Sequence, residues 1–319
     1  MKRRDFLKHG VVFTVGLWLF ACASSPDGRL DVEPQTLTVT ILGSGGGPAV
    51  NLHRFGPSIL VEAGDERLLF DCGRGAMLRL KELGIPFHRL DKLFLTHLHS
   101  DHVIDIPDLL LTPWIAGRRT PLEVWGPAGT RDMMDHLQAA FAFDIHMRRD
   151  IDEKYPGEGV SVSSHDIGEG TVFERHGVKV TAFLVDHGPV KPAFGYRIDY
   201  GDRSVALSGD TRPSQNLVRF ARGVDVLIHE AIDPEEFRAR RADLTSEQIE
   251  QVIAHHTTPE EAGEVFADVA PRLAVYAHAP TSDSVMARTR KAYGGRLERG
   301  EDLMTIEIGE QIQVRRFTP

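Results

Sequence analysis

Residues 96–102 read THLHSDH, directly after the apolar run KLFL. Three histidines and an aspartate in seven positions at a strand end limit the fold more than any other stretch, because the rest of the chain must bring partners to them. His97 and His99 stand at i and i+2. On an extended strand end that spacing puts both imidazoles on one face, able to share one metal ion. Asp101 and His102 follow in the turn, where they can face a second ion. Imidazole nitrogen with carboxylate oxygen suits Zn²⁺ or a neighbouring first-row metal.

The apolar pattern supplies a frame for such partners. From Leu37 onward, LTVTIL, PSILVEA, RLLFD, KLFLTH and LEVWG fill the first half. VKVTAFLVDH, FGYRIDY, SVALSGD, DVLIHEA, LAVYAHA and MTIEI fill the second. These read as strands. Helices are expected near 74–83, 103–117, 129–142, 245–255, 258–269 and 282–292. Two begin with capping boxes, Thr245 with Gln248 and Thr258–Pro259 with Glu261. The whole reads as one α/β domain over 37–319. Three apolar runs end in a polar residue followed by a turn former: His187 in FLVDHGP, Asp210 in VALSGDT and His278 in LAVYAHAP. Each alone is equally well read as a satisfied structural group. Their recurrence at strand ends, where α/β folds place ligands, points to one shared site.

Ahead of this domain the chain is of another kind. MKRRDFLKHG is a basic stretch, and VVFTVGLWLFAC is apolar for about a dozen residues, short of the ~20 needed to span a bilayer. Arg3–Arg4 before DFLK reads as a twin-arginine export signal over residues 1–22. LFAC resembles a lipoprotein cleavage box with Cys22 as the lipidated residue; plain cleavage and an ordinary N-terminal helix are the alternatives. The expected location is periplasmic, or facing the periplasm with membrane contact only through Cys22. Residues 23–36, polar and proline-containing, read as a tether. Cys72 is the only other cysteine, so a lipidated Cys22 leaves no intramolecular disulfide. The net charge of the chain is −9; residues 1–21 hold Lys2, Arg3, Arg4 and Lys8 against Asp5, a net +3, which leaves −12 on the remainder. An acidic body repels polyanions, so extended nucleic acid is disfavoured as a partner.

THLHSDH, His187, SGDT and His278, in that order, resemble the motifs of the metallo-β-lactamase superfamily. ILGSGGGP, GPSILVEAGDERLLFDCGRG, GYRI, DVLIHEA and HHTTPEEAGE are similar to its ribonuclease Z and zinc arylsulfatase branch, so the resemblance runs from Leu37 to His278. It implies an α/β fold of four layers, an αββα sandwich, and two Zn²⁺ ions, with Mn²⁺ or Fe²⁺ as alternatives. By that resemblance His97, His99 and His187 hold one ion, Asp101, His102 and His278 the other, and Asp210 bridges them. The activity implied is hydrolysis of a small phosphodiester or sulfate ester by water activated between the ions. Asp101, His256 and Glu230 take the catalytic roles: His256 of HHTTPEEAGE gives a proton to the leaving oxygen, and Glu230 of LIHEA orients it. His255 is the alternative to His256, and a surface carboxylate is the bland reading of Glu230. A homodimer is common in that branch.

The pattern also departs from its relatives. Bacterial ribonuclease Z carries a long basic arm before the bridging aspartate, and here only GPVKPAFGYRIDYGDRSVALSG separates His187 from Asp210. True β-lactamases generally lack the bridging aspartate. A tRNA 3′-end endonuclease, a β-lactamase and a non-catalytic metal-binding member are therefore the alternatives. GSGGGP fails as a dinucleotide loop because Pro48 takes the last glycine position, and reads as a tight turn bordering the site. Cys72 reads as a small buried residue, and Arg118–Arg119 and Arg148–Arg149 as solvated faces.

Overall fold

The first strand, β1 (Leu37–Gly43), sends Leu37, Val39 and Ile41 to one side and Leu42 to the other, and buries both. A strand that is apolar on both faces needs a cover on each. The computed structural model, which describes residues 36–280 and 282–317, supplies two. The expected export signal with Cys22, and the tether up to residue 35, lie outside the described residues.

Strands β2 (Ser58–Ala63), β3 (Glu66–Phe70), β4 (Lys92–Phe94), β5 (Leu122–Gly126) and β6 (Val162–Asp166) extend the first sheet. Strands β7 (Gly170–Arg175), β8 (Val178–His187), β9 (Val190–Tyr200), β10 (Arg203–Leu207), β11 (Val226–His229), β12 (Leu273–Tyr276) and β13 (Leu297–Arg299) build the second. The chain then returns through β14 (Met304–Ile308) and β15 (Ile312–Arg315). The sheet orders are β15-β14-β1-β2-β3-β4-β5-β6 and β13-β12-β11-β10-β9-β8-β7. Their facing sides share one core, in which Val39 and Phe94 meet Val180, Phe194, Ile228 and Val275.

Helices cover the outer faces. In chain order they are α1 (Ala76–Glu82), α2 (Ser100–Val103), α3 (Ile106–Ile115), α4 (Thr130–Ala140), α5 (Ala142–His146) and α6 (Gln215–Ala221). α7 (Pro234–Arg240), α8 (Ser246–Ile253), α9 (Pro259–Val269) and α10 (Asp283–Thr289) follow. Met77, Leu109 and Trp114 close over Leu69 and Leu93 of the first sheet. Leu217, Phe266 and Val285 close over Leu227 and Ala274 of the second. The result is the expected αββα sandwich. Both expected capping boxes form, at Thr245 and Thr258.

Four strands escape the sequence pattern: β6, β7, β13 and β15. All four are sheet edges with a single neighbour. An edge strand buries less, so its apolar signal is weak. The helix expected over 103–117 starts later, as α3 at Ile106, and the short α2 ahead of it ends at Val103. Pro107 lies in the first turn of α3, and a proline there has no N–H for the carbonyl of Val103 and clashes with it.

Arg118 is corrected most sharply. Expected on a solvated face, it is completely buried. The reason is Pro113 inside α3, which offers no N–H to the Leu109 carbonyl. The Arg118 guanidinium donates to Leu109 O at 3.0 Å, Leu110 O at 2.8 Å, Leu90 O at 3.0 Å and Gly159 O at 3.0 Å. Burial lowers its pKa to about 10, so it stays charged. Arg118→Met keeps the volume and removes every donor. It is expected to destabilise the fold by on the order of 3 kcal/mol in urea unfolding, and an unchanged midpoint would refute the structural role.

One aromatic row places the site. Phe70, Phe94 and Trp125 are cross-strand neighbours, with ring centroids 5.0 and 4.7 Å apart. Each such pair adds about 0.5–1.5 kcal/mol beyond its buried area. Tyr196 of the second sheet packs on Phe70 and donates its hydroxyl to Leu95 O at 2.7 Å. The ends of β3 and β4 are thereby held against the second sheet, and Asp71 and His97 follow immediately.

Candidate metal centre

Strands β4, β8, β10, β11 and β12 all finish at one edge of the two sheets. His97 lies three residues past β4, His187 ends β8, Asp210 lies three past β10, Glu230 one past β11 and His278 two past β12. The turn before Asp210 needs Gly209: its φ is 61°, and a Cβ would sit 2.4 Å from Phe194 O. His99 precedes α2, and Asp101 and His102 lie within it.

The structure brings all seven expected ligand residues together. His97 Nε2 is 2.9 Å from His99 Nδ1, which is 3.4 Å from His187 Nε2. His102 Nε2 lies 3.7 Å from Asp101 Oδ2 and 3.5 Å from Asp210 Oδ2. His278 stands between the same two carboxylates, 3.4 Å from each. Asp210 Oδ2 also lies 4.0 Å from His97 Nε2, so this carboxylate faces both groups of histidines.

Hydrogen bonds behind the rings decide which nitrogen faces inward. Asp71 Oδ2 accepts from His102 Nδ1 at 2.8 Å and from the Thr96 hydroxyl at 2.8 Å. Having donated its proton, Thr96 Oγ1 can accept from His97 Nδ1 at 3.0 Å. His187 Nδ1 donates to His255 O at 3.1 Å. For the neutral His97 and His187 this leaves the Nε2 lone pair for the site, and for His102 it turns Nε2 inward. Burial lowers the pKa of His97, His99 and His187, leaving neutral imidazoles. Burial opposes charge on His102 too, yet the Asp210 and Asp71 carboxylates outweigh it and hold its pKa well above the usual range. Burial likewise works against charge on Asp101 and Asp210, and the neighbouring His278 and His102 overcome it, so both remain carboxylates.

Beside this cluster, Glu230 is almost completely buried rather than a surface carboxylate. Its Oε1 accepts from Thr211 N, Thr257 N and His256 Nδ1, at 3.1, 3.2 and 3.1 Å. The His256 ring lies 5.0 Å from that of His187 and 6.1 Å from that of His278. Burial disfavours its charge, but Glu230 and then Asp210 prevail and raise its pKa to about 9. Of the adjacent pair, His256 is the one turned to Glu230, whereas the His255 ring packs over the turn at Gly188.

Other residues of the site were not picked out from the sequence. Asp71 is the clearest. RLLFD ends in an acid just as the apolar runs FLVDH and VALSGD end in His187 and Asp210, and that parallel is its signal. Asp71 adopts φ 56°, an uncommon conformation for a residue with a Cβ. Thr96, Thr211 and Thr257 act through hydrogen bonds to Asp71, His97 and Glu230 and leave no comparable pattern. Cys72 is buried as expected, and GSGGGP does border the site, with Gly47 N 3.3 Å from His278 Nε2.

A family profile described as "Beta-lactamase superfamily domain" matches residues 66–279. Ribonuclease Z of Mycobacterium sp. (strain KMS) is 36% identical over 292 residues, covering 88% of this chain and 99% of that protein. Among solved structures, the metallo-β-lactamase fold protein YhfI from Bacillus subtilis superposes with TM-score 0.66 at 21% identity, covering 86% of this chain and all of its own. Human tRNase Z, short form, gives TM-score 0.62 at 22% identity, covering 84% of this chain and 98% of its own.

Proposed function

The chain belongs to the metallo-β-lactamase superfamily of hydrolases, and from that premise we propose that it is a divalent-metal phosphodiesterase. The observation that carries the reading is the Glu230–His256 couple standing beside a carboxylate shared by two groups of histidines. The donor set fits divalent cations. Three imidazoles are neutral, two carboxylates are ionised, and the buried His102 Nε2 has no hydrogen-bond partner among the described residues. His97, His99 and His187 would hold one ion, Asp101, His102 and His278 the other, with Asp210 shared. Bound there, two cations would neutralise phosphoryl oxygens and bring water towards ionisation near neutral pH.

The protein's own groups supply the rest. His256 carries a proton at neutral pH and is tied to Glu230 through Nδ1, so Nε2 is the nitrogen available to a departing oxygen. It precedes the capped N-terminus of α9, whose partial positive charge favours an anionic ester. Glu230 takes no part in binding the ester and orients His256.

A compact ester suits this site better than extended nucleic acid. From His187 to Asp210 the chain is used up in two tight hairpins, with His187 paired to Val190 and Tyr200 to Arg203, and no arm projects. The charge of −12 beyond residue 21 acts in the same direction. A ribonuclease Z-type activity is the second reading. The mycobacterial relative of that name aligns over 99% of its length, so a missing arm does not set this chain apart from it.

Zn²⁺- or Mn²⁺-loaded protein is expected to hydrolyse bis(p-nitrophenyl) phosphate and to leave p-nitrophenyl sulfate intact. A tRNA precursor with a 3′ trailer belongs in the same panel. Faster cleavage of that precursor would favour the second reading, and metal uptake with an inert phosphodiester would end the first.

A further inference from the structure

The GSGGGP turn and the segment after it have no part in the chemistry above, yet they close on one proposed ligand. His278 has φ 56°, a left-handed conformation disfavoured for any residue with a Cβ, so its surroundings must hold it there. Its N–H donates to Ser44 O at 3.1 Å, at the exit of β1. Arg54 reaches the same place from the returning leg of the loop. Its Nη2 donates both to Ser44 O and to Ala279 O, the latter at 2.7 Å, and its Nε donates to Ser44 Oγ at 3.2 Å.

This contact is anchored in turn. Ser44, completely buried, donates to Asp302 Oδ1 from N at 2.9 Å and from Oγ at 2.7 Å. Phe55 N and Arg79 Nη2 donate to Asp302 Oδ2, at 2.8 and 3.1 Å. The two legs of the loop meet where Gly45 N donates to Phe55 O at 2.8 Å. Only glycine allows that approach, since a Cβ on Gly45 would lie 2.7 Å from the same oxygen.

We propose that Arg54 is a positioning residue for His278, stapling the carbonyl of Ser44 to that of Ala279 and so aiming the imidazole at the ion shared with Asp101 and His102. The proposal rests on the ligand assignment above. His97, His99 and His187 lie on other elements and do not depend on the staple. Its loss therefore affects one ion and spares the other.

The test is a stepwise Zn²⁺ titration of the full metal-free chain against a chromophoric chelator, for wild type, Arg54→Met and Arg54→Lys. Wild type is expected to take two ions. Arg54→Met should weaken one of them by about 10–100-fold, the usual effect of losing a group behind a ligand, and leave the other unchanged. Arg54→Lys should fall between, because an ammonium cannot span two carbonyls as a guanidinium fork does. Long-range ¹⁵N–¹H spectra of the metal-free histidines should show His278 displaced and His97 and His187 unmoved. Equal weakening of both ions, or of neither, overturns the staple; if the Met variant does not fold, Arg54→Lys is judged by the same criterion. A wild-type chain that binds fewer than two ions overturns the ligand assignment instead, so the two failures are distinguishable.

Discussion

Asp210→Ala is expected to lower phosphodiester turnover by on the order of 10³-fold or more and to reduce the metal content from two ions per chain. The carboxylate is nearly inaccessible, and no other acid among the described residues faces both histidine groups. Oδ2 lies 3.5 Å from His102 Nε2 and 4.0 Å from His97 Nε2, while Oδ1 lies 3.4 Å from His278 Nδ1. Removing it leaves the cluster rich in imidazole and poor in the negative charge that two divalent cations require. The charge stabilisation such ions give a phosphoryl group is worth several kcal/mol. At 1.36 kcal/mol per decade, that is the 10³-fold expected. Asp210→Asn separates charge from shape: it fills the same space with an oxygen and should lose nearly as much if neutralisation is the cause. Elemental analysis alongside bis(p-nitrophenyl) phosphate turnover checks both. An alanine variant that keeps two ions and full rate would remove Asp210 from the centre.

His256→Ala should act on proton transfer alone. A positioned general acid contributes about 10²–10⁴-fold, so a loss of roughly 10³ is expected for an ester whose leaving oxygen is strongly basic. p-Nitrophenolate departs readily without a proton, so the same variant should lose far less on bis(p-nitrophenyl) phosphate. Metal content should stay at that of the wild type. The dependence on leaving group is the decisive readout, because a general collapse of the site would slow both esters alike. Loss of an ion in this variant would instead make His256 a ligand. That outcome has a structural basis to be tested against, since His256 lies within ligand distance of His187 and Asp210.

Much of the site was legible before any fold was known, and for one reason. His97, His99, Asp101 and His102 are neighbours in the chain, and His187, Asp210 and His278 each terminate an apolar run. Both patterns are local. Glu230 and His256 became visible only by likeness to a family, because neither residue's neighbours distinguish an orienting acid from a surface one. Arg118 was misread because its environment is made by Leu90, Leu109, Leu110 and Gly159, which no stretch of sequence joins.

Alternation of apolar side chains, capping residues and the chemistry of the donor atoms are properties of short segments, so the strands, most helices and the metal-competent cluster could be read in one dimension. Which nitrogen His97, His102 and His187 turn inward, which of His255 and His256 meets Glu230, and how Asp71 stands against His102 and Arg54 beside His278 come only from packing. Asp71 is 31 residues from His102, and the carbonyl of Ala279 is 225 from Arg54. Contacts across such separations arise when two sheets bury their facing sides and bring distant strand ends to one edge, and no local pattern encodes that meeting.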